Sequence, residues 1–142
     1  MREERILLVE DNPDDVDLTL DALQRHGIES TVDVASDGLQ ALGLLGAAAD
    51  AQPPALPALV ILDINLPRMS GLEVLARMRA DPRLRYLPVV LLTTSVEERD
   101  VAEGYRLGAN AYVRKPVAFD EFIEAAGRIG RFWLRDNVRA QG

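Results

Sequence analysis

Five residues able to do chemistry sit at or just past the ends of apolar runs. Ile6–Val9 leads into Glu10 and Asp11, Leu59–Leu62 into Asp63, Val89–Leu92 into Thr93, and Ala111–Val113 stops shortly before Lys115. The set comprises three carboxylates, a hydroxyl and an amine. Carboxylates within several ångströms of one another repel and raise each other's pKa values, a conflict that a divalent cation removes. Only oxygen ligands are on offer. Mg²⁺ is therefore the natural ion, with Mn²⁺ or Ca²⁺ as substitutes, held by one or two carboxylates, a backbone carbonyl and waters, with positions left for phosphate oxygens. Acids at strand ends do not by themselves require a metal, because strands commonly end at polar residues. The accompanying Lys115 and Thr93 turn the set toward phosphoryl chemistry.

For these residues to meet, the four runs must be neighbouring strands that all point the same way. Continuous Val, Ile and Leu runs separated by helical stretches predict strands buried on both faces of a parallel sheet. Their ends converge in the crevice where open α/β folds place ligands. After the first run, Asn12-Pro13-Asp14-Asp15 starts a helix, with Asn as N-cap, Pro at the first helical position and acids facing the positive end of the dipole. Val16, Leu20 and Leu23 continue it at helical spacing, and Gly27 stops it. His26 could in principle take a phosphoryl group, but a residue of this kind in a last helical turn is an ordinary structural choice. Thr31–Ala35 alternates as an edge strand does, and Ser36-Asp37-Gly38 turns into a helix around Leu39–Ala48. Ala47–Ala58 carries three prolines and reads as an exposed linker longer than usual, or a docking segment. Beyond Asp63, Ser70 is an N-cap with Glu73 completing a capping box, and Asp81-Pro82 ends that helix. A polar helix over Glu97–Leu107, a strand over Ala111–Arg114 and a long helix from about Asp120 complete five strand and helix units. The prediction is an α/β fold with an open doubly wound sheet, Thr31–Ala35 at one edge and Ala111–Arg114 at the other.

Bulk properties bound what else the chain can be. Its 142 residues, 48% of them apolar, suit one domain with a sizeable core. No apolar stretch reaches the roughly 18 residues that span a bilayer, and the start lacks a signal-peptide pattern, so a cytoplasmic protein without membrane contact is expected. The absence of cysteine excludes disulfides, thiolate metal sites and cysteine nucleophiles. A net charge of -7 opposes direct DNA binding, which needs a basic face. The densest basic group, Arg77, Arg79, Arg83 and Arg85, is interrupted by Asp81 and Pro82 and reads as a solvated helix end.

Four motifs, VEDN (Val9–Asn12), LDINLPRMSG (Leu62–Gly71), PVVLLTT (Pro88–Thr94) and GANAYVRKP (Gly108–Pro116), occur in one order and spacing. In this the chain resembles the receiver domain of the two-component response regulators over about residues 4–128. The resemblance implies a flavodoxin-like five-stranded parallel sheet of order 2-1-3-4-5 with five helices. It further implies a receiver domain over residues 1–128 and a helical extension or arm over 129–142, without a separate output domain. By the same resemblance Asp63 is the phosphoacceptor, Asp11 a direct Mg²⁺ ligand, Glu10 the acid at the often water-mediated position, and Asn65 a ligand through its backbone carbonyl. Thr93 and Lys115 match the residues that bind phosphoryl oxygens, and Lys115-Pro116 matches the family's cis peptide bond. Residue chemistry alone does not choose Asp63 over Asp11 as nucleophile. Given that choice, a carboxylate attacking a donor phosphohistidine, with Mg²⁺ and Lys115 neutralising charge, is a coherent reaction. It is self-phosphorylation followed by slow loss of phosphate, not multi-turnover catalysis, with Asn65 and Ser95 at the positions that tune that loss.

Signal output implies a bistable element biased by the phosphate. Thr93 and Tyr112 match the family's switch pair, remodelling the face made by the fourth helix, fifth strand and fifth helix; the alternative for Tyr112 is an aromatic simply packed on a helix. Phe132, Trp133 and Leu134 cannot share one helix face, so at least one should seek cover outside the domain's core. That ending, with VEDNPDD and LTTS, is similar to the stand-alone receivers that pair with bacterial phytochrome-type histidine kinases. It implies a histidine kinase partner, a bacteriophytochrome in particular, and a homodimer through the C-terminal helix or arm or through the fourth-to-fifth-helix face. The competing possibility is an extension folded back on its own sheet.

Other functions fit less well. The phosphate could pass onward or be drained in a multistep phosphorelay. A haloacid-dehalogenase-type phosphohydrolase would want an acid two residues after the nucleophile, where Asn65 cannot donate a proton as a carboxylic acid does. Neither G-x-G-x-x-G nor G-x-x-x-x-G-K-[ST] follows the first strand. A receiver that no longer accepts phosphate would show decay at the acids or the lysine, and all are present.

Overall fold

Strand and helix alternate along the chain as the apolar runs require. The computed structural model describes residues 4–140. Its elements are β1 (Arg5–Val9), α1 (Pro13–Arg25), β2 (Thr31–Ala35), α2 (Gly38–Asp50), β3 (Leu59–Leu62), α3 (Gly71–Ala80), β4 (Val89–Thr93), α4 (Glu98–Arg106), β5 (Ala111–Arg114) and α5 (Phe119–Arg131). The strands form one sheet of order β2-β1-β3-β4-β5, every neighbouring pair parallel. β1, β3 and β4 lie inside the sheet with helices on both faces, which is why their residues are apolar without alternation.

Successive residues of these strands feed opposite cores. Ile6, Leu8, Ile61, Val90 and Leu92 pack with Leu23 of α1 and Phe122, Ala126 and Ile129 of α5. Leu7, Val9, Val60, Leu62 and Leu91 pack with Leu45 of α2 and Val74, Leu75 and Met78 of α3. Each of these side chains larger than alanine contributes about 1.5–3 kcal/mol by leaving water. The register then aligns the strand ends. Val9 pairs with Leu62 on one side and Ala35 on the other, so Glu10 and Asp63 emerge side by side at the carboxyl edge.

Helix starts follow the expected chemistry with one difference. The Asn12 side chain accepts from the N–H groups of Asp14 and Asp15 at 2.9 and 3.3 Å. Ser70 Oγ accepts from the Glu73 N–H at 3.3 Å, but the Glu73 carboxylate pairs with Arg77 at 3.2 Å, so the return half of the capping box gives way to a side-chain pair. α2 runs on to Asp50, which shortens the proline-containing linker to residues 51–58.

The arginine group is not uniformly solvated. Arg79 donates to the carbonyls of Gly108, Arg85 and Leu87 at 3.0, 2.9 and 2.8 Å and to Asn110 Oδ1 at 3.0 Å. Asn110 Oδ1 also accepts from the Val89 N–H at 2.8 Å. Chain turns after α3 and α4 leave carbonyls without ladder partners, and the five donors of one guanidinium satisfy them together. Burial lowers the Arg79 pKa accordingly.

The C-terminal extension folds back on the domain. α5 passes into a wider π-helical turn, Phe132–Asp136, across which Leu134 is buried and Trp133 partly buried against the α1–α5 core. Arg135 donates to the Gly27 carbonyl at 2.6 Å and Arg139 to Glu4 at 2.9 Å. Of the three bulky residues only Phe132 stays half exposed, at 49%. Among the described residues no helix is long and apolar enough to cross a membrane.

Candidate functional site

The carboxyl edge of the sheet gathers Glu10, Asp11, Asp63 and Lys115. Carboxylate oxygens of Glu10, Asp11 and Asp63 lie within 4.8 Å of one another, with Glu10 and Asp63 buried and Asp11 exposed. Lys115, only 6% exposed, directs its ammonium at three acids. It donates to Glu10 Oε1 at 2.5 Å, Asp63 Oδ2 at 2.8 Å and Asp15 Oδ2 at 2.8 Å. An ammonium has three protons, and all three are committed.

Backbone amides hold the remaining carboxylate oxygens. Asn12 N–H donates to Glu10 Oε2 at 3.1 Å and Asn65 N–H to Asp63 Oδ1 at 3.1 Å. The Asp63 carboxylate is thus gripped on both oxygens. The loop beyond it is tied down by Gly71 N–H donating to the Ile64 carbonyl at 2.8 Å. There the chain closes so tightly that a Cβ on Gly71 would lie 2.0 Å from the Asp63 carbonyl oxygen, which requires glycine.

Electrostatics follow from burial and from these neighbours. Burial pushes the Glu10 carboxyl up to about 7 from its ordinary 4.5, with the Asp63 charge adding to the rise and Lys115 opposing it. For Lys115, burial alone would lower the pKa, but hydrogen bonds to Asp15, Asp63 and Glu10 overcome it and leave the ammonium's pKa raised. The cluster therefore stores one firmly held cation against more negative charge than it balances. An all-oxygen donor set of this spacing fits a hard divalent cation.

The other expected side chains form their hydrogen bonds elsewhere. Thr93 is fully buried at the end of β4, its Oγ1 accepting from the Ser95 N–H at 3.5 Å. Tyr112 donates its hydroxyl to the Ser95 carbonyl at 2.7 Å, and burial raises its pKa. Ser95 Oγ donates to Asp100 Oδ2 at 2.6 Å, so its hydroxyl serves the start of α4. Phe132, Trp133 and Leu134 lie past the far end of α5, where Leu134 and Trp133 join the α1–α5 core.

One expectation is corrected. Lys115-Pro116 is not cis; the cis X-Pro bond among the described residues is Gln52-Pro53. The trans form is the ordinary preference of an X-Pro bond, and Lys115 meets Glu10, Asp15 and Asp63 with this bond in place. One residue is added: Asp15, which sequence reading assigns to the helix dipole alone. The available signal was its place three residues after the N-cap Asn12, the turn that faces the strand ends.

Comparison with known proteins agrees with this geometry. A model of the family described as "Response regulator receiver domain" matches residues 6–127. The response regulator Rcp1 of Synechocystis is 37% identical over 129 residues, covering 91% of this chain and 88% of that protein. Among solved structures, the phosphorylated cyanobacterial phytochrome response regulator RcpA superposes with a TM-score of 0.90 at 34% identity, covering 98% of this chain and 99% of that one. The Mn²⁺-bound form of Rcp1 superposes at 0.88 with 35% identity, covering 97% and 99%.

Proposed function

The chain belongs to the response regulator receiver family, and from that premise we propose that Asp63 accepts a phosphoryl group from the phosphohistidine of a histidine kinase. The family is one of phosphorelay signalling rather than of metabolic catalysis, and the similar solved structures include a cyanobacterial phytochrome response regulator. The observation that carries the assignment is the grip on Asp63: one oxygen on the Asn65 N–H, the other on Lys115, beside Glu10 and Asp11.

The Asp63 carboxylate attacks phosphorus as the P–N bond of the donor breaks, and the electron pair leaves with the imidazole, which takes a proton from solvent. Asp63 becomes an acyl phosphate. The Lys115 ammonium exchanges its hydrogen bond to Asp63 for one to a phosphoryl oxygen, and the Thr93 hydroxyl supplies another donor. Glu10, Asp11, Asp63 and the Asn65 carbonyl would hold Mg²⁺, which when bound neutralises the carboxylates and the phosphoryl oxygens. Later hydrolysis of the acyl phosphate resets the domain, with Asn65 and Ser95 flanking the site.

Output runs through Ser95. Its N–H is held by Thr93 and its carbonyl by Tyr112, so a Thr93 hydroxyl drawn toward phosphate loosens the residue whose carbonyl anchors Tyr112. We assign residues 1–128 to the receiver and 129–142 to an arm whose half-exposed Phe132 supports pairing with a second copy. The partner kinase would be a bacteriophytochrome, and the setting cytoplasmic. Label transfer from an autophosphorylated bacteriophytochrome kinase, with Mg²⁺ and with EDTA, tests the function: transfer is expected only with Mg²⁺, and equal labelling of Asp63→Asn would refute it. For the dimer, sedimentation of Phe132→Ser against the parent leaves Leu134 in the core; equal masses would exclude pairing through Phe132.

A further inference from the structure

Asp15 neither gives nor receives a bond in the phosphoryl transfer. It occupies the third helical position of α1, from which an acid ordinarily reaches back to the backbone N–H of the N-cap. Here that N–H, on Asn12, is taken by Glu10 Oε2 at 3.1 Å. The Asp15 carboxylate is freed from capping and turns to Lys115 at 2.8 Å, across 100 residues of sequence. The helix start is still satisfied, because the Asn12 side chain accepts from both Asp14 and Asp15 N–H groups.

The three partners of Lys115 differ in what the reaction asks of them. Asp63 becomes the acyl phosphate, and Glu10 belongs to the carboxylate triad fit for a cation. Asp15 lies outside that triad and carries no leaving or attacking atom. It is the one acid able to keep the same hydrogen bond to Lys115 before, during and after transfer. A lysine stem has four flexible carbons, so an ammonium without a constant anchor spreads over many rotamers.

We propose that Asp15 is a positioning residue that pins the Lys115 ammonium while its other two donors change partners. The inference rests on Asp63 being the phosphoacceptor. Its test compares the parent, Asp15→Asn and Asp15→Glu as full chains. With a small phosphodonor and Mg²⁺, Asp15→Asn is expected to phosphorylate about tenfold more slowly, the scale set by rotamer freedom of the unanchored stem. Asp15→Glu, which keeps the charge, recovers most of that loss.

Phosphorylation of Asp15→Asn at the parent rate overturns the proposal. A slow Asp15→Asn that Asp15→Glu does not rescue also overturns it, since Asp15 would then serve only the helix. A parent that takes up no phosphoryl group at all sinks the phosphoacceptor reading itself, and this inference with it; uptake by the parent isolates the test on Asp15.

Discussion

Replacing Lys115 with methionine keeps most of the stem's volume and removes the charge that Glu10, Asp15 and Asp63 share. Two of those acids are buried, at 4% and 6% exposure. Breaking a buried ion pair by removing one partner costs about 3–5 kcal/mol, because the surviving charge is left uncompensated. Relief comes from Glu10, whose carboxyl is already pushed up to about 7 and takes a proton near neutrality once the ammonium is gone. The expected loss without metal is therefore about 3 kcal/mol, at the lower end of that range. For a domain of this length this amounts to a melting-point drop of roughly 10 °C. Added Mg²⁺ then supplies the missing positive charge, and at a hundredfold excess over Kd it stabilises a binding-competent fold by about 2.7 kcal/mol. Thermal melts of parent and Lys115→Met in EDTA and across a Mg²⁺ titration at one pH read both effects. The variant should melt well below the parent in EDTA and, in saturating Mg²⁺, rise close to the parent's own metal-free melting point. Equal melting points in EDTA would refute the claim that Lys115 neutralises this cluster.

The raised Glu10 pKa makes the folded state bind a proton more tightly than the unfolded chain between pH 4.5 and 7. The stability of the metal-free protein should accordingly fall across that window, by up to about 3 kcal/mol, and urea titrations should find this fall reduced in Glu10→Gln. Arg79→Met strands several carbonyls around α3, β4 and β5 and should cost about 2–4 kcal/mol, measured by urea midpoint; Arg79→Lys, unable to bridge the same carbonyls, should recover little. A Cβ on Gly127 would sit 2.1 Å from the His26 ring, so Gly127→Ala should destabilise the α1–α5 seam by about 1–3 kcal/mol. A double-mutant cycle with His26→Ala should return most of that loss, and strictly additive effects would place the clash elsewhere.

The sheet was legible because burial on both faces leaves no room for polar residues inside β1, β3 and β4, so each run ends where the strand does. β2 and β5, the edge strands, fall at Thr31–Ala35 and Ala111–Arg114, bounded by turn residues. The cluster of Glu10, Asp11, Asp63 and Lys115 was legible for the same reason: parallel strands in register bring their ends together. What escaped depends on distant partners. Asp15 finds Lys115 100 residues away, and Arg79 finds Gly108 across 29; neither helix carries a local sign of the match. In the FWL ending, the helical period excludes three residues from one face, but it does not foretell that a π turn covers Trp133 and Leu134 and leaves Phe132. The Lys115-Pro116 bond shows the opposite limit, since a motif carried an expectation that the local geometry does not share.

The central claim is that Asp63 is the residue that receives the phosphoryl group. Intact-mass measurement after exposure to a small phosphodonor, with and without Mg²⁺, on the parent and on Asp63→Asn, tests it directly. One phosphoryl adduct on the parent, dependent on Mg²⁺ and absent from Asp63→Asn, is the predicted result. An adduct of equal yield on Asp63→Asn, or none on the parent, would contradict it.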